Sequence, residues 1–459
     1  MKALVFIDHD IVCRHFVQNG ALAELVRSAD VRFVFPAGRK RLKLSPEELP
    51  LGAPFTSVAV DPQRQQTWRW VLYADQLKLR LGRHESAIRR IRWMTLGWKA
   101  ATLLTLAGLP IGASIFRKIV ADRLNCYPNR ELADLLTREK PDIVFHPSVL
   151  DGVFINDLVA EGNRQSIPIV VATNSWDNPS TKRAVVGHPD KLLVWGPQSR
   201  EHAIQFIGAP RNKVVEFGAA QFDVFNEHPR IDRAGFCAVH GIDPSRKIVL
   251  FAGSNAQTDE GAALDALDDA IEAGRAGPIT VVYRPHPWGG GGQGGALLAG
   301  RSWRYIVVDK GMRGYLDSLA KGDASMALPD YHDTHDLLCS VDAVVSPLST
   351  ILLEAVMHGK PVAIYLPEGD DAVLSKMIPL LHFEEFFALN DVSIARGSDE
   401  LVGLLPVLVS AEGVACGARL KDVARRFVTP FQRPWRERIV DLLGEVVRER
   451  ALAGRQEPE

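Results

Sequence analysis

Residues 346–355 read Ser-Pro-Leu-Ser-Thr-Ile-Leu-Leu-Glu-Ala, a pattern typical of a strand that ends in hydroxyl residues and opens directly into a helix. The N–H groups of a helix start, with the hydroxyls of Ser349 and Thr350, favour a bound phosphate. Glu354 follows Thr350 by one helical turn on the same face, where its carboxylate can accept both hydroxyls of a ribose. Capping alone does not explain this acid, because a capping box places its acid three residues after the cap. The segment therefore predicts a nucleotide-binding site.

Residues 283–287 read Tyr-Arg-Pro-His-Pro and follow an apolar run of strand length. Ligands of open α/β sheets bind at the carboxyl ends of strands, which is the position of this segment. Two prolines restrict the backbone around His286, so its ring is predicted to donate to a phosphate oxygen or to stabilise a nucleotide leaving group. Arg284 adds a permanent charge nearby. Gly253 and Ser254 end an earlier strand and are predicted to approach the same phosphates.

Together the two motifs resemble the nucleotide-binding domain of GT-B glycosyltransferases, in particular the group with His-Pro and Ser/Thr motifs that contains CDP-glycerol glycerophosphotransferases and bacterial sialyl- and Kdo-transferases. The resemblance extends over residues 245–370. In the first half, Ser-Trp-Asp-Asn at 175–178 with Thr181 and Lys182, and Gly-Ala-Ala-Gln-Phe-Asp at 218–223, are similar to segments of bacterial surface-polysaccharide transferases.

The resemblance implies two Rossmann-like domains whose parallel sheets face a central cleft, the GT-B arrangement. It implies a nucleotide-activated sugar or alditol in the second domain, a glycan or lipid-linked acceptor in the first, and neither an obligatory metal nor another cofactor. The donor-binding residues carried over by position are His286, Ser349, Thr350 and Glu354. Asp177 and Lys182 are assigned to the acceptor side. The expected activity is an inverting transfer in surface polysaccharide synthesis, with a cytidine or a uridine donor.

Strand-length apolar runs alternate with helical patterns along the chain, which is the signature of parallel sheets with helices on both faces. The alternation stops at a polar stretch at 226–233 and then starts again, and 459 residues exceed what one core usually covers. The sequence thus predicts an α/β fold of two domains. The predicted boundaries are 1–225 for an acceptor-side domain, 226–240 for a linker, 241–430 for a donor-binding domain and 431–459 for a C-terminal amphipathic helix and tail.

An inverting transfer needs a group that takes the proton of the acceptor hydroxyl, and this group is predicted to lie in the first domain. Asp10 and His15, just after the first strand, are in the best position, and His9 and Asp177 are alternatives. Each of them can equally be a helix cap or a solvated polar residue, so the pattern leaves the base open. With His286 assisting the leaving nucleotide, the predicted catalytic set is Asp10, His15 and His286.

The composition excludes several other classes of protein. Lys and Arg number 54 against 55 Asp and Glu, a formal net charge of -1, so nucleic acid is not an expected partner. The five cysteines are scattered without CxxC spacing, which predicts reduced thiols in the cytoplasm. Residues 1–8 form an apolar run too short for the core of a signal peptide.

One region departs from this even balance of charge. Arginine and lysine outnumber the acids between residues 64 and 99, and residues 94–116 are largely apolar. The Gly-Leu-Pro break at 108–110 argues against a membrane span, and helices buried in the first domain or covering its cleft are the simpler interpretation. The alternative is peripheral contact of residues 64–118 with an anionic membrane surface.

Other activities fit parts of the sequence. Residues 6–12 contain the Asp-x-Asp opening of haloacid-dehalogenase-type phosphatases, in which Asp8 would be the nucleophile and magnesium would lie between Asp8 and Asp10. This alternative leaves the second domain unexplained. A sugar-nucleotide epimerase of similar build, or a nucleotide-binding protein without catalysis, also fits the helix-start motif. His-Asp-Thr-His-Asp at 332–336 has metal-capable side chains, but a polar helix start is the favoured interpretation.

Overall fold

The computed structural model describes most of the 459-residue chain. The described residues are 1–37, 49, 52–64, 66–67, 70, 73, 96–107, 109–150, 154–182, 185–253, 260–287, 301–320, 327, 329–366 and 380–453. The strands are β1 (Lys2–Phe6), β2 (Asp30–Ala37), β3 (Phe55–Ala59), β4 (Ile143–Ser148), β5 (Ile169–Thr173), β6 (Lys191–Val194), β7 (Val214–Glu216), β8 (Lys247–Ala252), β9 (Ile279–Arg284), β10 (Ile306–Val308), β11 (Ala343–Ser346), β12 (Val362–Tyr365) and β13 (Ser393–Ala395).

Helices connect most of these strands. The α-helices are Asp10–Val12, Ala23–Ser28, Trp98–Ala107, Pro110–Cys126, Arg130–Glu139, Ile155–Gln165, Asn178–Thr181, Pro197–His202, Arg233–His240, Glu260–Glu272, Lys310–Ala320, Tyr331–Ser340, Ile351–Met357, Leu381–Phe387, Ser398–Leu408, Ala411–Val423 and Trp435–Ala453. The π-helical turns are Cys13–Gln18 and Ala203–Ile207, and the 3-10 turns are Arg211–Lys213, Ala220–Asn226 and Ala424–Arg426.

The chain folds into two compact units. The first consists of Met1–Asp223, Leu380–His382 and Arg426–Glu459, and the second of Val224–Pro379 and Phe383–Arg425. The stretch predicted as a linker, 226–240, contains the helix Arg233–His240, because the Asp232 side chain accepts a hydrogen bond from the backbone N–H of Gly235 and starts the helix.

The first unit is built on one parallel sheet with the strand order β3-β2-β1-β4-β5-β6-β7. Residues are buried at every position of β4 and β5, which is why these strands read as continuous apolar runs and not as alternating ones. The chain winds outward in opposite directions from β1 and from β4. The carboxyl ends of these two neighbours are therefore the topological switch point of the sheet, where open α/β sheets bind ligands.

The C-terminal helix packs on one face of this first sheet. Trp435 is 2% exposed and contacts Phe16 edge to face, with ring centroids 5.5 Å apart. Asp223 accepts a hydrogen bond from the backbone N–H of Trp435 at 2.6 Å, which fixes the start of the helix. The helix Trp435–Ala453 thus shares the core of the first unit, although no pattern in the sequence indicated which sheet it would cover.

The second unit has a parallel sheet with the strand order β10-β9-β8-β11-β12-β13. Phe251 lies at its centre and contacts Tyr283 and Tyr365, with ring centroids 6.2 and 6.0 Å apart. The same outward winding places a second switch point between β8 and β11. The predicted α/β class with two Rossmann-like parallel sheets is confirmed.

The apolar stretch 94–116 breaks where its sequence predicts. The helix Trp98–Ala107 ends before the Gly-Leu-Pro segment, and Pro110 is the first residue of the helix Pro110–Cys126, where its missing N–H is harmless. Within the described ranges no single helix has the length and apolarity needed to cross a bilayer. Ser398–Leu408 and Ala411–Arg426 reach those limits only as a pair, bent by 88°.

Burial of the two helices at 98–126 is only partial. The side chains on their outer faces that are more than half exposed are Trp98, Leu103, Leu106, Ile111, Ile115 and Ile119. Ile111, Ile115 and Ile119 follow each other at four-residue spacing and therefore line one face of a helix. An exposed apolar row of this length indicates a contact surface.

Candidate active site

The carboxyl ends of β9, β8 and β11 lie side by side at the switch point of the second sheet. Ala252 in β8 pairs with Arg284 in β9, and Phe251 pairs with Val345 in β11, so Arg284 and Ser346 occupy matching positions on either side of Ala252. Both side chains are buried, and within the described part of the chain Arg284 Nη1 and Ser346 Oγ have no hydrogen-bond partner. Buried polar groups are nearly always hydrogen bonded, so these two atoms indicate a polar ligand.

A buried carboxylate holds the other side of the Arg284 guanidinium. Asp309 Oδ2 lies 3.4 Å from Arg284 Nε, and Asp309 Oδ1 lies 3.4 Å from His240 Nε2. Burial alone would raise the pKa of Asp309, but the interaction with His240 and the charge of Arg284 lower the pKa overall. Asp309 is therefore ionised at neutral pH and orients Arg284, which leaves Nη1 for a second anion.

Gly253 follows β8 at a position with no room for a side chain. A Cβ atom there would lie 2.6 Å from Glu260 Oε2 and 3.0 Å from the backbone nitrogen of His286. Glu260 is buried and accepts a hydrogen bond from the Tyr283 hydroxyl at 2.7 Å. Burial, together with this carboxylate, raises the pKa of Tyr283 well above its usual value. The turn that carries the half-buried His286 thus packs directly on the end of β8.

The helix start after β11 has the arrangement that the motif predicts. Thr350 is the N-cap of the helix Ile351–Met357, and its backbone oxygen accepts hydrogen bonds from Leu353 and Glu354. Its side chain makes no capping hydrogen bond. Ser349 and Thr350 are half-buried, and Glu354, on the first turn, is 7% exposed.

The structure thus places Gly253, Arg284 and His286 together at one edge, while Ser254 lies outside the described residues. Ser346 belongs with them, although in the sequence it was only the first residue of the helix-start motif. A small hydroxyl residue at the end of a fully buried strand is the signal that could have identified it. Nucleotide binding by any of these residues remains a prediction.

At the switch point of the first sheet, the side chains of Asp8 and His146 lie next to each other, 1% and 0% exposed. His146 Nδ1 donates to the backbone oxygen of Phe6 at 3.1 Å, and its Nε2 lies 3.7 Å from Asp8 Oδ2. Burial lowers the pKa of His146, and the charge of Asp8 opposes this shift. Sequence reasoning missed His146, although His-Pro at the end of a buried strand repeats the pattern at 286–287.

Three predicted base candidates follow β1 closely. Asp10 begins the short helix after the strand and is buried. His9 is the N-cap of that helix, and its Nδ1 accepts the N–H of Ile11 at 3.1 Å. His15 donates its Nδ1–H to the backbone oxygen of Asn174 at 2.9 Å. Burial is the main cause that lowers the pKa of His15 to about 3, which makes it neutral at pH 7 but a weak base.

Asp177 and Lys182 lie on the segment that follows β5. The Thr181 hydroxyl donates to Asp177 Oδ2 at 2.7 Å. Burial acts to raise the pKa of Asp177, but the neighbouring His382 and these hydrogen bonds lower the pKa overall. Burial lowers the pKa of His382 to about 4, and its ring meets Trp176 edge to face at 5.1 Å. Asp177 is thus an ionised, half-buried carboxylate with the neutral His382 beside it, a partner that its sequence position did not reveal.

The acidic residues of the 332–336 segment are engaged with an arginine. The side chain of Asp330 accepts the backbone N–H of His332 at the N-cap, and Arg230 binds Asp333 and Asp336. The acidic first turn and the Asp330 cap therefore form the polar helix start that the sequence favoured. His335 instead contacts His358 and the backbone oxygen of Glu227.

The strand orders define the class of fold, two Rossmann-like parallel sheets of the kind found in GT-B proteins. Solved structures with this fold cover nearly the whole chain. The UDP-GlcNAc 2-epimerase of Methanocaldococcus jannaschii is 12% identical with a TM-score of 0.52, over 97% of this chain and 100% of its own. The UDP-GlcNAc 2-epimerase of Neisseria meningitidis, bound to UDP-GlcNAc, is 12% identical with a TM-score of 0.51 over 97% and 100%.

A putative UDP-N-acetylglucosamine 2-epimerase from Listeria monocytogenes gives similar values, with 12% identity and a TM-score of 0.51 over 98% of this chain and 97% of its own. No protein-family model matches the chain, and no curated protein matches it significantly. Identities at this level show a shared fold and leave the activity to be argued from the site.

Proposed function

We propose that this chain is a nucleotide-sugar-dependent transferase whose donor site lies at the carboxyl edge of the second unit's sheet. The observation that carries the proposal is the pair Arg284 and Ser346, two buried polar side chains with unused hydrogen-bonding atoms on either side of Ala252. The oxygen atoms of a diphosphate can accept hydrogen bonds from both of these side chains. A nucleotide-sugar ligand is also supported by the Neisseria structure of the same fold, which was bound to UDP-GlcNAc.

In the proposed site, the phosphates lie against Arg284, Ser346 and the start of the helix that follows. The full set of proposed donor-binding residues is Gly253, Ser254, Arg284, His286, Ser346, Ser349, Thr350 and Glu354. Glu354 accepts the ribose hydroxyls, and Gly253, which has no side chain, lets the phosphates approach the backbone.

The proposed reaction replaces the bond between the anomeric carbon and the donor phosphate with a bond to an acceptor hydroxyl oxygen. The electron pair of the broken bond moves to the phosphate, where Arg284 and a hydrogen bond from His286 stabilise the charge. The acceptor proton passes to a base. This assignment uses no added metal ion, so we expect turnover without magnesium or manganese.

We propose Asp10 as that base, with Asp177 and Lys182 as residues that bind the acceptor. Asp10 follows β1 at the switch point of the first sheet, where ligands of such sheets bind. His15 is the alternative, but its low pKa leaves it a weak proton acceptor. Turnover by Asp10→Asn and His15→Gln separates the two: loss of kcat with unchanged nucleotide affinity identifies the base.

Epimerisation of a nucleotide sugar is the second candidate function. It is favoured by the three structures above, all described as epimerases or putative epimerases. An epimerase converts UDP-GlcNAc without an acceptor, whereas a transferase releases nucleotide only as the sugar joins an acceptor. Incubation of UDP-GlcNAc with the protein alone, followed by separation of the 2-epimers, decides between them. Conversion in the absence of an acceptor would overturn the transferase proposal.

The direct test of the transferase is a two-stage screen. Thermal shift with CMP, CDP, UDP, GDP and dTDP identifies the nucleotide, because a ligand that binds only the folded state raises the melting temperature. Donors of that nucleotide are then tested with glycan and lipid-linked acceptors. We propose surface polysaccharide synthesis at the cytoplasmic side of a membrane as the setting, with the exposed apolar row at 111–119 in contact with lipid. If no nucleotide shifts the melting temperature, the proposed donor site is wrong.

A further inference from the structure

Two histidines and one cysteine meet in the second unit at a place that the proposed reaction does not use. His335 and Cys339 are one turn apart on the helix Tyr331–Ser340, and His358 ends the helix Ile351–Met357. Their ligand-capable atoms all lie within 4.8 Å of one another. His335 Nδ1 is 2.9 Å from His358 Nε2, and Cys339 Sγ is 3.7 Å from His335 Nδ1. Cys339 is a free thiol.

Each neutral imidazole ring carries one N–H, and the short contacts of the two rings require more than these two N–H groups. His358 Nδ1 lies 2.7 Å from the backbone oxygen of Glu354, and His335 Nε2 lies 3.1 Å from the backbone oxygen of Glu227. Carbonyl oxygens only accept, so each of these contacts needs the single N–H of its neutral ring. Two bare lone pairs then face each other 2.9 Å apart. A cation between them removes this repulsion.

We propose that His335 Nδ1, His358 Nε2 and Cys339 Sγ bind a zinc-class transition-metal ion. A shared proton would satisfy the two nitrogens but would give the thiol no role, whereas imidazole and thiolate together are the ligands that zinc prefers. Tetrahedral zinc requires N–N and N–S separations of about 3.3 and 3.6 Å. The observed N–N separation of 2.9 Å is a few tenths of an ångström below the first value. Cys339 Sγ lies 3.7 and 3.8 Å from the two ring nitrogens of His335, so its side chain must turn toward Nδ1 to reach the ion.

The surroundings fit a metal site. Each ring donates its other N–H to a carbonyl, which fixes the tautomer with the lone pair toward the ion. The Phe225 ring lies against both histidines, with centroids 5.7 Å from His335 and 4.4 Å from His358, and limits access of water. Binding converts the Cys339 thiol to a thiolate and releases one proton, so the site gains one net positive charge.

This site differs from the 332–336 segment considered in the sequence, with which it shares only His335. A bound ion would also restrain the helix that the proposed donor site uses, because His358 donates to the backbone oxygen of Glu354 in that helix. The ion would join the helix 331–340 to the end of the helix 351–357. An effect on nucleotide affinity therefore depends on the proposed function, but binding of the metal does not.

The test is metal content of the full chain, purified without a histidine tag. The parent is dialysed against zinc and then metal-free buffer, and we expect about one zinc per chain. Zinc content should fall at least tenfold in Cys339→Ser and His358→Gln. Matched controls are Cys416→Ser, a half-buried cysteine on another helix, and His332→Gln, one turn before His335, and both should retain the ion.

Cobalt titration of the metal-free parent is the second measurement, and it does not depend on the folding of any variant. A thiolate-to-cobalt charge-transfer band and intense visible bands are expected, because both require Cys339 in a tetrahedral site. Absence of zinc uptake, a cobalt spectrum without the thiolate band, or equal loss of zinc in Cys416→Ser would overturn the proposal. Each of these readouts is independent of nucleotide binding and turnover.

Discussion

Nε2 of His146 lies 3.7 Å from Oδ2 of Asp8, and both side chains are fully enclosed at the switch point of the first sheet. The phosphatase alternative needs Asp8 as a nucleophile that a phosphate ester can reach. Oδ2 of Asp8 is next to the buried ring of His146, a neighbour that would compete with magnesium for this carboxylate. We therefore expect no magnesium-dependent hydrolysis of p-nitrophenyl phosphate above the blank. Hydrolysis that disappears in Asp8→Asn would restore the phosphatase alternative.

Glu354→Gln and His286→Asn are expected to weaken nucleotide binding. Loss of a charge-assisted hydrogen bond costs about 1.5–3 kcal/mol, which corresponds to a dissociation constant about 10- to 150-fold higher. Isothermal titration with the nucleotide found in the thermal-shift screen measures the change. Glu445→Gln, on the exposed side of the C-terminal helix, is the matched control and should bind as the parent does. Parent-like affinity in both site variants would show that the donor lies elsewhere.

Gly253→Ala tests the close packing of the 283–287 turn on β8. The new methyl group would lie 2.6 Å from Glu260 Oε2 and 3.0 Å from the backbone nitrogen of His286, so one of them must move. We expect at least about a tenfold loss of nucleotide affinity, because displacement of His286 also displaces its ring. Gly403→Ala, at a helical glycine where a methyl group meets nothing within 4 Å, is the control. Unchanged affinity in Gly253→Ala would mean that His286 does not contact the donor.

Acid should destabilise the protein through its buried neutral histidines. The folded-state pKa is about 3 for His15 and about 4 for His382, both below the ordinary value near 6.5. Between the folded-state pKa values and about pH 6.5, the unfolded chain therefore binds more protons than the folded chain does. The free energy of unfolding consequently falls as the pH drops below about 6.5.

At pH 5.5 each of the two histidines contributes a loss of about 1.4 kcal/mol in the free energy of unfolding relative to pH 7.5. Urea denaturation of the parent and of His15→Gln at the two pH values measures the contribution. The pH-dependent loss should shrink by about that amount in His15→Gln and remain unchanged in His228→Gln, which removes an exposed histidine. An identical pH dependence in His15→Gln and the parent would show that folding does not lower the pKa of His15.

The exposed apolar row at 111–119 should carry any attachment to lipid. Replacement of Ile111, Ile115 and Ile119 with serine is expected to reduce sedimentation with anionic liposomes at least about tenfold, because three large apolar side chains no longer leave water. The control is the double replacement of Val407 and Val414, exposed valines of the second unit. If the parent does not sediment at low salt, or the control loses as much, lipid contact through this row is excluded.

Much of the architecture could be predicted from the sequence because parallel strands buried on both faces are continuous apolar runs. The helix start at 349–354 and the turn at 283–287 were identifiable for a similar reason, since local backbone chemistry specifies both. Less could be inferred where a partner is remote in the chain. His382 lies beside Asp177, and Trp435 caps the core around Phe16, through contacts that no local pattern encodes.

The sequence by itself determined the two parallel sheets, the break at 108–110 and the position of the helix-start motif, because each depends on residues close together along the chain. Only the tertiary structure decided that Arg284 and Ser346 flank one strand, that Asp8 is enclosed beside His146, and that His335, Cys339 and His358 meet. Strand order and helix packing set these neighbours. Burial then fixes the protonation of His15, His146 and His382, which depends on the dielectric and charges that surround the folded side chain.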